Sequence, residues 1–236
     1  MKRSEVIARD LVEYIVDARL PPGATLPREK DMVEQLGVGR TTLREALRIL
    51  ETRGVLTIRS GPGGGPVVRH PQPGDLMESL LLILQFQRAT LAEVMDARVW
   101  LEPYAARMAA TRISPQEIER LKEINAEMEA LVETDEDIYD PNQRFHSVIS
   151  GATGNVVIEI FTDTMLTTTN SPEADFHRSR EFKRTAVEGH VELIEAFESK
   201  DPDAAEETMR RHVIESKERR LKVMPELMSR PLRWVQ

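Results

Sequence analysis

The sequence predicts a mainly α protein in two parts, an N-terminal winged helix-turn-helix of three helices plus a β-hairpin, followed by an all-α bundle of six or seven helices. Three observations carry this. Amphipathic segments separated by Pro and Gly punctuation fill residues 4–54, two β-prone runs flank a glycine-rich turn at 60–65, and nothing after Gly74 alternates with a strand period.

At 236 residues the chain has room for two compact domains, and 40% hydrophobic with 31% charged residues is the balance of a folded globular protein. The longest purely apolar run, Leu80 to Leu84, is far shorter than the roughly 18 residues a spanning helix needs, and the N-terminus lacks a hydrophobic targeting core. No membrane partner is expected, and the expected compartment is the cytoplasm. With no cysteine, disulfides, iron–sulfur clusters, thiolate zinc sites and cysteine nucleophiles are excluded together. Any metal must be held by His, carboxylate or amide groups. Residues 1–70 carry 12 Lys and Arg against 9 Asp and Glu, a net +3, and residues 71–236 carry 20 against 31, a net −11. A mildly basic head on an acidic body suits binding to a polyanion.

Ser4 is the expected cap of the first helix, whose apolar positions Val6, Ile7, Leu11, Tyr14, Ile15 and Ala18 follow helical spacing until Leu20-Pro21-Pro22-Gly23. Arg28 to Leu36 reads as a short second helix stopped by Gly37, and a third begins near Arg40 or Thr41. So tight a glycine-containing turn between helices is a helix-turn-helix signature. On the third helix Leu43, Ala46, Leu47 and Leu50 take core spacing, whereas Arg40, Thr41, Thr42, Arg44 and Arg48 sit at its start or on its other side, before Gly54. Arg and Thr at the start of a recognition helix can reach base edges and phosphates. Arg44 and Arg48 can equally pair with Glu45, Glu51 or Asp31 on a solvated face. Val55 to Arg59 and Pro66 to Arg69 then form a hairpin around Gly61 to Gly65. A phosphate-binding loop is disfavoured, because no Lys-Ser/Thr ending or helix follows the glycines.

The stretches 22–30, PGATLPREK, 36–47, LGVGRTTLREAL, and 50–54, LETRG, resemble the GntR-family DNA-binding signature over nearly all of residues 5–69. The resemblance implies a homodimer on a short palindromic double-stranded DNA operator, with Lys30, Arg40, Thr42 and Arg44 on the DNA and the wing near Gly61 in the minor groove. Lys30 stands where the family usually has Arg, and Gly39 where it usually has Ser or Thr. Lysine cannot present a bidentate fork to guanine, and Gly39 removes a hydroxyl.

After the stiff His70-Pro71-Gln72-Pro73-Gly74 stretch, helices are predicted near 75–87, 90–112, 115–133, 136–150, 155–169, 175–200 and 202–223. The corresponding domains are 1–70, a linker at 71–75, an effector-binding and dimerisation domain at 76–229, and a tail at 230–236. Asn142 and His146 lie four residues apart on one helix face. The last two long helices turn at Lys200-Asp201-Pro202, with His190 11 residues before Asp201 and His212 11 after it. In an antiparallel hairpin equal offsets mean equal height, each about 16 Å from the turn at about 1.5 Å per residue. The two imidazoles can therefore meet, and Asn142 and His146 would add an oxygen and a third nitrogen ligand. Core histidines are the bland alternative. No Glu-x-x-His pair supports a ferritin-like di-iron site.

Arg98 and Glu102, four apart beside the stripe Leu91, Val94, Met95 and Ala105, form a second candidate constellation. Either they are a structural pair or Arg98 awaits an anionic ligand. The runs 93–98, EVMDAR, 142–146, NQRFH, and 209–212, MRRH, together with Leu101-Glu102, Thr153-Gly154-Asn155 and Glu188-Gly189-His190, resemble the FCD effector domain of FadR-subfamily GntR regulators across about 76–223. That resemblance implies a metal held by Asn142, His146, His190 and His212, a divalent ion with zinc foremost and nickel or manganese as alternatives. It also implies a small carboxylate effector near Arg98, with Glu102 beside it.

The expected function is a metabolite-responsive regulator of transcription, a repressor in the first instance, and not an enzyme. Three alternatives remain open on sequence: a metal-dependent hydrolase or lyase with a DNA-binding appendage, with Glu102 as its best general base; a metal sensor proper; and a metal-independent sensor of a larger acyl effector.

Overall fold

The computed structural model describes residues 2–61, 64–169 and 179–233. It comprises two compact units, one ending at Asp75 and the other beginning at Leu76.

In the first unit, α1 (Arg3–Asp17), α2 (Glu29–Leu36) and α3 (Arg40–Thr52) precede β1 (Leu56–Arg59) and β2 (Gly65–Val68). Ser4 does not cap α1 as expected. The helix begins two residues earlier, with Lys2 at the cap position and Glu5 accepting from the Lys2 backbone N–H at 2.8 Å, and Ser4 is buried inside the first turn. Ile7, Leu11 and Ile15 form the inner stripe of α1, whereas Tyr14 on the predicted apolar set faces solvent. Gly37, at φ +61°, terminates α2 in the left-handed region that glycine adopts without strain. Leu43, Ala46, Leu47 and Leu50 of α3 close over Ile7, Leu11 and Met32 in one core.

The hairpin is antiparallel, pairing Leu56 with Val68 and Arg59 with Gly65. A third extended segment joins it, unannounced by the sequence pattern. Gly23 and Leu26 donate to Val68 and Pro66 carbonyls at 2.9 Å, and Val68 donates back to Ala24 at 2.8 Å. Gly54 follows α3 at φ +70°, a left-handed backbone that glycine adopts without strain, and an added Cβ would displace the Arg69 and Asp75 side chains that lie against it.

The second unit is all helical. Its helices are α4 (Pro73–Phe86), α5 (Leu91–Ala110), α6 (Pro115–Ala130), α7 (Tyr139–Ala152), α8 (Val156–Thr169), α9 (Arg180–Glu198), α10 (Pro202–Val223) and α11 (Pro225–Ser229). Part of the expected linker is helical instead, because Pro73 starts α4 and Asp75 accepts from the Gln72 N–H at 2.6 Å. Capping boxes start α5 at Thr90 and α6 at Ser114, and Asp201 caps α10 by accepting from the Asp203 and Ala204 amides at 3.0 Å. The predicted start of α9 at 175 lies outside the described residues. Beyond the last predicted helix, α11 packs Met228 into the core, and in the expected tail Leu232 donates to the Ala89 carbonyl at 2.8 Å.

The bundle core gathers Met95, Ala106, Leu121, Phe145, Ile149, Leu193, Phe197 and Met209 around α5. Fully buried Lys183 on α9 donates to the Leu131 and Thr134 carbonyls, both at 2.8 Å, in the turn that follows α6, so its charge is not buried without acceptors. Among the described residues no helix is long and apolar enough to cross a membrane.

Candidate functional site

The helix-turn-helix presents an exposed cationic face. Lys30, Arg40, Thr41, Arg44 and Arg48 are exposed and Thr42 is partly covered, while the opposite side of α3 is core. Of the alternatives for Arg44 none of the anticipated partners holds it. Its Nε donates to Glu29 Oε2 at 2.9 Å, across the turn from the first residue of α2. Lys30, Arg40 and Arg48 form no ion pair among the described residues. Gly61 is exposed at φ +99°, and its carbonyl accepts from Gly64 at 2.9 Å to turn the wing.

Within the bundle, three imidazoles from three helices converge. His146 on α7, His190 on α9 and His212 on α10 each offer a ligand atom, all within 4.8 Å of one another. Their ring centroids are 5.0 Å apart for His190 and His212, and 5.4 Å for each of the pairs with His146. His190 stacks flat on Phe145 at 3.6 Å, fixing its ring plane. His212 lies directly on the backbone of α9, where an added Cβ at Gly189 would stand 2.6 Å from its Nδ1. Asn142 is buried one turn before His146 on the same face of α7.

The electrostatics favour neutral imidazoles. Burial, and then the neighbouring His212 and His146, push His190 well below the usual histidine range, and burial with His146 pushes His212 down to about 3. Both nitrogens of His190 are buried without a hydrogen-bond partner, although one of the two must carry a proton. A buried ring so left fits a metal ligand better than a satisfied core residue. Three imidazole nitrogens, with the Asn142 amide one helical turn from His146, form a donor set suited to a divalent ion.

Arg98 and Glu102 lie beside this cluster, both buried. Arg98 Nε pairs with Glu102 Oε1, and the second oxygen of that carboxylate lies 2.8 Å from His146 Nδ1. Burial alone would raise the Glu102 carboxyl, but Arg98 and then His146 outweigh it and hold it well below the ordinary carboxylate range. Both oxygens of Glu102 are thus directed at protein groups, while Arg98 Nη1 also donates to Thr169 Oγ1 at 2.8 Å.

Sequence reasoning missed two neighbours. Arg220 on α10 is buried, reaches the Thr169 carbonyl at 3.4 Å and is lowered to about 9 by burial and then by Arg98. Asp163 on α8 accepts from Ser150 at 2.9 Å and Ser147 at 3.1 Å, clamping the turn of α7 that carries His146. Burial raises its carboxyl, which those two hydroxyls partly offset. Arginine in a helix already rich in charge, and aspartate in one rich in threonine, give no periodic signal.

A winged helix-turn-helix joined to an all-α bundle is the architecture of a ligand-responsive DNA-binding protein. Residues 3–64 match the family of bacterial regulatory proteins named gntR, and residues 93–215 match the FCD domain. The chain belongs to the GntR family and is a DNA-binding transcriptional regulator with an FCD effector-binding domain. It is 38% identical over 119 residues to an HTH-type transcriptional regulator of Mycobacterium tuberculosis, an alignment covering 50% of this chain and 48% of that one. The chain therefore spans about half the length of that relative. It is 27% identical over 218 residues to the Glc operon transcriptional activator of Escherichia coli, covering 89% of this chain and 85% of the activator. The solved Streptococcus agalactiae GntR structure aligns at TM-score 0.71 and 27% identity, over 91% of this chain and 99% of that one. These families and relatives are transcriptional regulators, not enzymes.

Proposed function

We propose that this regulator binds a palindromic operator as a homodimer and that a small carboxylate, bound at a metal-containing pocket of the bundle, sets its affinity for DNA. The observation that carries this reading is the convergence of His146, His190 and His212 to within 4.8 Å beside the buried Arg98. His146, His190, His212 and Asn142 would hold a divalent ion, zinc in the first instance. When bound, the ion supplies positive charge and open coordination positions for an anionic oxygen.

The protein's own groups divide the remaining work. Glu102 Oε2, 2.8 Å from His146 Nδ1, would favour metal ligation through Nε2, the usual second contact that fixes a ligating imidazole. Arg98, held through Nε by Glu102 and through Nη1 by Thr169, is a preoriented guanidinium for a carboxylate. Because His190 and His212 are held below the usual histidine range, metal need not displace protons from either of them near pH 7. On the DNA side, Arg44 reads a base edge, with Lys30, Arg40, Thr41, Thr42 and Arg48 on the adjoining backbone and bases and Gly61 leading the wing to the minor groove.

Effector binding would act by population shift, favouring a pose of the two DNA-binding heads that no longer spans one helical turn of operator. In this reading the protein is a repressor. The Glc operon relative is named an activator, and a reporter transcription assay decides the sign here.

The test is fluorescence anisotropy of the zinc-loaded full chain on a selected duplex, titrated separately with acetate, lactate, malonate and citrate. At least one is expected to change operator affinity tenfold or more, and chelation to abolish that change. Affinity unmoved by every carboxylate contradicts the reading. A response that survives full chelation favours the metal-independent sensor, and affinity that follows free metal alone favours the metal sensor.

A further inference from the structure

Arg44 is singled out among the cations of the helix-turn-helix. Its Nε donates to Glu29 Oε2 at 2.9 Å, whereas Lys30, Arg40 and Arg48 make no ion pair among the described residues. Arg44 remains 69% exposed at its side chain, so the pair orients the group without removing it from the surface.

A guanidinium has two edges able to make parallel bonds, one formed by Nε with an Nη and one formed by the two Nη atoms. With Nε committed to Glu29, the end-on edge is the one left, and that edge matches the O6 and N7 acceptors of guanine. The carboxylate does more than orient. A phosphate approaching Arg44 also approaches Glu29, and like charges repel, so non-specific backbone contact is penalised while an uncharged base edge is not. An exposed pair of this kind adds little to stability, at most about 1 kcal/mol, which leaves recognition as the larger consequence of the acid at this position.

We infer that Glu29 is a specificity-determining positioning residue, which turns Arg44 end-on toward a guanine and discourages its use as a phosphate clamp. This rests on the reading of Arg44 as a base-contacting residue. Glu29 lies in the first turn of α2, where an acid also favours the helix dipole, so two variants separate the roles. Glu29→Asp keeps a first-turn acid but is too short for the bond, and Glu29→Gln removes the charge.

The experiment is selection from a duplex pool with randomised half-sites, using full-length wild type, Glu29→Gln, Glu29→Asp and Arg44→Ala, followed by anisotropy on selected and scrambled duplexes across a salt series. Wild type is expected to prefer a G·C pair at a position whose preference vanishes in Arg44→Ala. Both Glu29 variants should lower that one preference at least fivefold and leave the other positions within twofold. Glu29→Gln should also bind scrambled duplex at least twofold more tightly. Full preference at that pair in the Glu29 variants overturns the inference, as does an equal loss at every position, which would mark the bond as merely structural. A profile unchanged in Arg44→Ala removes the underlying reading of Arg44, and this inference with it.

Discussion

Glu102 Oε2 lies 2.8 Å from His146 Nδ1, while the other oxygen of the same carboxylate is held by Arg98. One buried acid thus links the group suited to an effector with a group suited to a metal. The link is specific to the folded state, since Glu102 and His146 are on different helices, and it gives the bundle a means for one ligand to alter the setting of the other.

Glu102→Gln should weaken zinc binding by roughly 10–100-fold, the range found when the outer partner of a ligating histidine is lost. Competition against a coloured chelator measures it. Removing the charge also leaves Arg98 buried without its counter-ion, so the metal-free variant should be less stable by about 3–5 kcal/mol. Unchanged zinc affinity would make the contact incidental.

The metal-free protein should lose stability as pH falls below about 6.5. His190 and His212 are held below their unfolded values, so between about 6.5 and the folded values the unfolded chain binds more protons than the native one. Their stabilising contribution is complete above about 6.5 and is lost at up to about 1.4 kcal/mol per pH unit for each imidazole. For His212 the window closes at about 3. Urea melts at pH 7.5 and 5.5 measure the slope, and His212→Gln should flatten it. Equal stability at both pH values would contradict the burial argument.

Arg98→Lys should retain zinc and lose at least tenfold in affinity for whichever of the tested carboxylates binds wild type. A lysine preserves a charge opposite Glu102 but cannot bridge Thr169 and an anion with a planar fork. Calorimetry on the zinc-loaded protein separates the two ligands. An undiminished carboxylate affinity would place the anion elsewhere.

Arg44→Ala should lower discrimination between a selected and a scrambled duplex by about tenfold or more while leaving the oligomer and its melting temperature unchanged within a few degrees. The side chain is exposed on α3, so its loss touches no core contact. An intact footprint on the selected duplex would contradict the assignment of the recognition helix.

Much of the site was legible because helical geometry is periodic. The equal offsets of His190 and His212 from the Asp201 cap pointed to their contact, with ring centroids 5.0 Å apart, and the four-residue step from Asn142 to His146 put both on the buried face of α7. The pairing of Glu102 with Arg98 was legible from their four-residue step, but its second neighbour, His146, was not, since periodicity within α5 says nothing about which face of α7 will oppose it. Asp163 and Arg220 were missed for the same reason, being polar residues whose meaning depends on helices distant in sequence. Local signals also competed at the first helix, where Ser4 had the chemistry of a cap but Glu5 reached the Lys2 amide, and burial took the serine inward. At Pro73 the proline read as a linker breaker serves instead as the start of α4.

The central claim, a metal and a carboxylate held in the bundle of a dimeric regulator, is tested most directly by native mass spectrometry of gently purified full-length protein beside a chelated sample. The expected spectrum is a dimer carrying one divalent ion per chain, with a small acidic mass released on mild activation and both additions absent after chelation. A metal-free dimer from a metal-replete preparation would contradict the claim and reduce the three histidines to polar lining of the bundle.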